Sequence, residues 1–196
     1  MTVPNILTVF RIFLTPFFIF FLFNDSDLSG TYALIIFVVA SITDAYDGHY
    51  ARKYNVVSES GKFLDPLADK ILVSSAFISF AILKIIDFWM VFLIIFRDVF
   101  VTLLRIRMKK SNQSLITSNI AKSKTAAQLI IIVFTLLYLS ISNSNLQILM
   151  GFIDWIERFN LVYNLTLFVT LFTIFTGYRY AYDNWAVIKK IIINLV

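Results

Sequence analysis

The stretch DAYDGHYARKYNVVSESGKFLDPLAD, residues 44–69, sets four aspartates inside an otherwise apolar neighbourhood. IIFVVASIT (35–43) leads into it and ILVSSAFISFAIL (71–83) leads out, and both read as membrane-helix material. A carboxylate placed in a bilayer costs about 2.5–3.5 kcal/mol on the lenient insertion scale. Four of them facing lipid would cost on the order of 10 kcal/mol, so they must face one another and something positive. A hard divalent cation satisfies oxygen donors of this kind most cheaply, and it points to phosphate chemistry at a membrane surface.

Composition supports that setting. Of 196 residues, 59% are hydrophobic, 21 are Phe and only 15% are charged, against about 25% charged in an average soluble domain. A soluble fold of this make-up would expose too much apolar surface. With no cysteine, disulfides, thiolate nucleophiles and Cys-bound metals are excluded. The first apolar run is too long for the core of a cleavable signal peptide. The net charge of +5 would suit nucleic acid in a soluble protein; here it fits loops facing anionic lipid and phosphorylated substrates.

The expected fold is an all-α membrane protein of one domain, with six transmembrane helices and an interfacial N-terminal segment. The spans are expected at about 6–23, 31–51, 62–83, 87–106, 121–141 and 160–182, each near the roughly 20 residues a bilayer requires. Arg11 interrupts the first, and is expected to snorkel outward while the first two turns lie in the interface. Asn5, Thr8 and Arg11 fall on one helical face. The tail from Asn184 to Val196 reads as a short interfacial end. Arg52, Lys53, Arg105, Arg107, Lys109, Lys110, Lys122 and Lys124 gather in the loops after the second and fourth helices, and Lys189 and Lys190 follow the sixth. The opposite loops, NDSDLSG, KIID and SNSNLQILMGFIDWIER, hold only Lys84 and Arg158 as cations. The positive-inside rule then puts the aspartates at the cytoplasmic ends of the second and third helices. Trp89, Trp155 and Trp185 read as interfacial anchors.

Spacing organises the aspartates. Asp44 and Asp47 are three apart, and Asp65 and Asp69 four apart, so each pair shares a helix face. The 17 residues between Asp47 and Asp65 suffice to finish one helix, turn at Asn55–Gly61 and begin an antiparallel one. Two carboxylate pairs facing across such a hairpin would hold one or two Mg²⁺ or Mn²⁺ ions. Gly48 and Ala51 leave room for a ligand or close packing, Gly61 lets the backbone approach a phosphate, and Pro66 sits near a helix start. Arg52 offers a fork of donors suited to pyrophosphate. At about 5% per position the eight fixed positions arise by chance roughly once in 10¹⁰ starts.

Those eight residues (Asp44, Asp47, Gly48, Ala51, Arg52, Gly61, Asp65 and Asp69) match without departure the signature of the CDP-alcohol phosphatidyltransferases, which the chain closely resembles. PNILTVFRI (4–12), RDVFVTLLR (97–105), KSKTAAQ (122–128) and TIFTGYRY (173–180) extend the likeness more loosely along the chain. The resemblance implies a bacterial inner-membrane enzyme, usually a homodimer, that joins an alcohol to the β-phosphate of CDP-diacylglycerol and releases CMP. It implies Asp44, Asp47 and Asp65 as metal ligands, with Asp69 reaching a second ion and serving as general base. Gly48, Ala51, Arg52 and Gly61 would hold the CDP portion. Membrane lipids are implied partners, and nucleic acid is not.

The acceptor is read from charge. Glycerol 3-phosphate brings a second phosphate, which calls for cations beyond Arg52. Arg105, Lys122, Lys124 and Arg179 fall on the cytoplasmic side and are the expected acceptor-phosphate groups, ahead of a site for inositol phosphate or another alcohol. Arg97 and Asp98, adjacent on a helix and so not facing each other, are expected to pair with other helices. His49 occupies a variable position and is expected to be a spectator. A divalent-cation transporter is the competing class, but it would set its acids near the bilayer midplane on broken helices.

Overall fold

The computed structural model describes the backbone of residues 3–54, 59–110, 119–143, 150–185 and 189, and the side chains of 8–43, 68, 70–107, 123–143, 150–185 and 189. Among these residues the fold is entirely helical: α1 Val3–Leu22, α2 Ser29–Tyr54, α3 Glu59–Ile82, α4 Phe88–Lys110, α5 Asn119–Ser142, α6 Met150–Arg158 and α7 Leu161–Asp183. Six of the seven follow the expected spans within a few residues. Of the turn expected at Asn55–Gly61, Glu59–Gly61 already belong to the first turn of α3; residues 55–58 and the tail beyond 189 lie outside the described residues.

Burial follows the helical repeat. In α1 the stripe Thr8, Arg11, Thr15, Phe18 and Leu22 is buried, while Phe13, Phe17 and Phe20 are exposed. Arg11 was expected to snorkel outward; it is instead 1% exposed, on the inward stripe of a helix that continues unbroken from Val3. The reason is its register with Thr8 and Thr15, which faces the neighbours α2 and α3. In α7 the inward stripe is Val162, Thr166, Val169, Thr170, Thr173, Thr176 and Tyr180. Small side chains here allow close approach to α4 and α5.

Phe18, Phe37, Phe77, Phe80, Met90, Ile94, Ile132 and Leu136 form the centre of the core. The outside is equally apolar: Phe92, Phe96, Phe168 and Phe175 are all more than half exposed. A continuous apolar exterior suits lipid and not water. Two helical stretches among the described residues, Ser123–Ser142 and Leu161–Asp183, are long and apolar enough to cross a membrane. Thr8–Leu22, Ser29–Thr43 and Lys70–Ile82 are shorter apolar runs. Helix α4 carries Arg97 and Asp98 within its apolar run.

Helix α6 was not expected; it falls in a stretch that reads as a loop. Its nine residues place Phe152, Trp155 and Ile156 at helical spacing, with Ile156 buried and Phe152, Trp155 and the following Phe159 in sequential ring contact. Tyr138 of α5 donates to Glu157 Oε1 at 2.9 Å, and Tyr163 of α7 donates to Asp87 Oδ2 at 2.9 Å. Lys84, at φ 60°, ends α3, with the Ile85 amide bonding back to the Phe80 carbonyl. Asn160, at φ 47°, makes the break between α6 and α7, and asparagine tolerates that region best among the residues with a side chain.

Helices α2 and α5 meet backbone to backbone at Gly30. A Cβ there would stand 2.7 Å from the Ser140 amide nitrogen, which is backbone and cannot yield. Thr31 and Ser140 share a 2.6 Å hydroxyl bond beside it, and Asn143 donates to Ser29 Oγ at 3.0 Å. Gly30→Ala should therefore destabilise the protein by about 1–3 kcal/mol through overpacking. Gly151→Ala, where a Cβ meets nothing within 4 Å, should be silent. Thermal unfolding in detergent distinguishes the two, and equal midpoints would refute the close approach.

Candidate functional site

The aspartate stretch divides between two helices. Asp44, Asp47, Gly48, Ala51 and Arg52 fall in the last part of α2, and Gly61, Asp65 and Asp69 in the first half of α3. The side chains of these residues, and of His49 and Lys122, lie outside the described ones. What the backbone supplies is a scaffold: α1 packs on both α2 and α3, and α5 also touches both. The two carboxylate-bearing helices thus share two common neighbours. Leading into the stretch, Thr43 and Ser41 bond back to the carbonyls of Ala40 and Phe37 at 2.8 Å, which spends their hydroxyls inside α2. On α3, Ala68 is fully buried beside Asp69 in sequence.

Immediately beyond Asp69 lies a buried polar cluster. Asp98 of α4 accepts from Lys124 of α5 at 2.5 Å on each carboxylate oxygen. Arg97 Nη1 donates to Asp98 Oδ1 at 3.2 Å, and Gln128 Nε2 reaches Oδ2 at 3.5 Å. Arg97 Nη2 donates to Thr176 Oγ1 of α7 at 3.1 Å. Adjacent residues on a helix diverge, yet the long Arg97 arm turns back to its neighbour's carboxylate. Gly177 makes this possible, since a Cβ there would fall 2.8 Å from Arg97 Cγ. Lys70, Val73 and Ser74 of α3 face Asp98, Lys124, Thr125 and Gln128 across a cavity of about 10 Å³, the room of one water molecule.

Of the four expected acceptor-phosphate cations, Arg105, Lys124 and Arg179 have described side chains. Arg105 is exposed on α4. Arg179 is half exposed on α7 and lies 3.9 Å from Asp183. Lys122 is placed only by its backbone in α5. Lys124, expected to meet the acceptor's phosphate, is 2% exposed, and its ammonium is engaged by Asp98. Asp98 carried no expected chemistry. Its signal in the sequence was a carboxylate in the middle of FWMVFLIIFRDVFVTLL, where an ionisable group needs a named partner.

The chain belongs to the CDP-alcohol phosphatidyltransferase family: the family profile matches residues 1–168, which include the whole aspartate stretch. Its relatives narrow the likeness. It is 34% identical to the CDP-diacylglycerol–glycerol-3-phosphate 3-phosphatidyltransferase of Bacillus subtilis, over 95% of this chain and 96% of that protein. The protein of the same name from Rickettsia bellii is 36% identical over 90% of this chain and 92% of its own length. That from Escherichia coli K12 is 36% identical over 68% and 76% respectively.

A buried ion pair stripped of one partner leaves an uncompensated charge. Lys124→Ala and Asp98→Ala should each destabilise the protein by about 3–5 kcal/mol. The double alanine variant should cost clearly less than the two losses added together, because the groups couple. Chemical or thermal unfolding of the three variants measures this, and simple additivity would contradict the pairing.

Proposed function

We propose that the chain is a six-span integral membrane enzyme that transfers the phosphatidyl group of CDP-diacylglycerol to sn-glycerol 3-phosphate. The products are phosphatidylglycerophosphate and CMP, and the pathway is phospholipid biosynthesis. The observation that carries the reading is the complete eight-position signature, split between the end of α2 and the start of α3, in a chain of this family. The names of the relatives favour glycerol 3-phosphate over other alcohols. The positive loops favour the inner membrane of a bacterium, with the site facing the cytoplasm. A homodimer is the expected assembly.

The donor set fits a divalent ion. Asp44, Asp47, Asp65 and Asp69 are hard oxygen ligands in pairs three and four residues apart on two helices that share neighbours. These carboxylates would hold one or two Mg²⁺ or Mn²⁺ ions, whose charge stabilises the pyrophosphate as CMP departs. Arg52, with Gly48, Ala51 and Gly61 clearing space, would hold the CDP portion. Arg105, Lys122 and Arg179 are the acceptor-phosphate candidates, with Lys124 acting from behind its carboxylate. Asp69 takes the proton of the acceptor's hydroxyl as that oxygen bonds to the β-phosphorus. The bond from the β-phosphorus to the bridging oxygen breaks, and CMP leaves with the electron pair. The diacyl tails stay in lipid throughout, and the apolar surroundings keep competing water away.

Purified protein supplied with CDP-diacylglycerol and Mg²⁺ should release CMP with glycerol 3-phosphate, and not with serine or inositol phosphate. Release with none of them by folded protein would reject the enzyme. Asp69→Asn should lower turnover by about 10²–10⁴-fold while CDP-lipid binding stays measurable. Unchanged turnover would remove Asp69 as the base.

A further inference from the structure

We propose that Asp98 is a positioning residue for the transfer, acting through Lys124 and Arg97 on the segment of α3 that follows Asp69. This rests on the phosphatidyltransfer reading above and adds a residue to it.

Stability does not ask for this cluster. Apolar side chains of similar volume commonly replace a buried ion pair at no cost or with a gain. Asp98 and Lys124 nonetheless sit inside the bundle with side-chain exposures of 10% and 3%. Their geometry converges on one carboxylate. Lys124 of α5 reaches both of its oxygens, Arg97 reaches one, and Gln128 of α5 approaches the other. Through Arg97 and Thr176 the same carboxylate is tied to α7. Three helices are thereby fixed at a single level.

That level is also where α3 leaves the aspartate stretch. Lys70, Val73 and Ser74 form the opposite wall of the water-sized cavity. Asp65, Asp69 and Val73 follow one another at four-residue intervals along α3, so the clamp abuts the turn just beyond the proposed base. A direct role for Lys124 on the acceptor's phosphate fits poorly. Lys124 is 2% exposed, and its ammonium is engaged by both oxygens of Asp98. The pair therefore acts by holding α4, α5 and α7 against α3.

The test replaces the ions by apolar groups of like volume, Asp98→Leu with Lys124→Met, in the full-length protein. This variant should unfold later than Asp98→Leu alone, since Lys124 is no longer left as an uncompensated buried charge. Its kcat for CMP release should nevertheless fall by about 100-fold, the scale of a small misplacement. KM for CDP-diacylglycerol and for glycerol 3-phosphate should each stay within about twofold. Asp98→Asn, close in shape, gives the same reading if the double variant fails to fold, and Asp98→Glu should recover part of the kcat that Asp98→Asn loses. Wild-type kcat in the double variant or in Asp98→Asn would overturn the proposal and leave a purely structural ion pair. A raised acceptor KM at unchanged kcat would also overturn it, by putting Lys124 on the phosphate. Wild-type protein that releases no CMP would instead defeat the underlying reading of the reaction.

Discussion

Charge cannot be left alone in an apolar surrounding, and this constraint organises the chain from end to end. Its helices are built from Phe, Ile, Leu and Val, so every carboxylate, ammonium and guanidinium within them must be matched by another part of the protein or by a ligand. The Asp98–Lys124–Arg97 cluster is one solution, built internally among side chains of α4, α5 and α7. The aspartates of α2 and α3 pose the same problem. Acids alone cannot solve it, which is why their donor set calls for a cation. The internal cluster faces the part of α3 that follows Asp69.

At the far end of the bundle the same constraint is met more gently. Asp87 accepts from Trp89 and Tyr163, and Glu157 accepts from Tyr138. Neutral donors suffice there because these contacts are exposed, and water shares the work of solvation. The apolar core between the two ends holds Phe37, Phe77, Phe80 and Met90 with almost no exposed surface.

Much of this was legible in the sequence because length and apolarity are strong signals for long helices. Six helices followed from apolar runs, and the placing of Asp44 and Asp47 on one helix and of Asp65 and Asp69 on the next agrees with the backbone. What escaped was of shorter range or depended on rotation about a helix axis. Helix α6 spans nine residues and mixes aromatic with charged side chains, so it does not stand out as an apolar run. Arg11 reads as an outward charge until the burial of Thr8, Thr15 and Phe18 fixes its face. Arg105 and Arg179 share a charge pattern with Lys124, yet only Lys124 turns inward, because which side of a helix is covered depends on neighbours distant in sequence. Asp98 was visible as an anomaly, but its partner lies 26 residues away on another helix.

Helix α7 shows a last effect of these packing choices. Along its inner stripe Thr166 and Thr170 return their hydroxyls to carbonyls one turn back, and Thr176 also bonds to the Thr173 carbonyl. The first two thus offer mainly methyl groups to α4 and α5. Axial registry of α7 accordingly comes from its extremities: Tyr163 on Asp87 at one, and Thr176 on Arg97 at the other. A rod fastened at both tips and smooth along its middle resists sliding lengthwise, yet can still bow sideways between its fastenings.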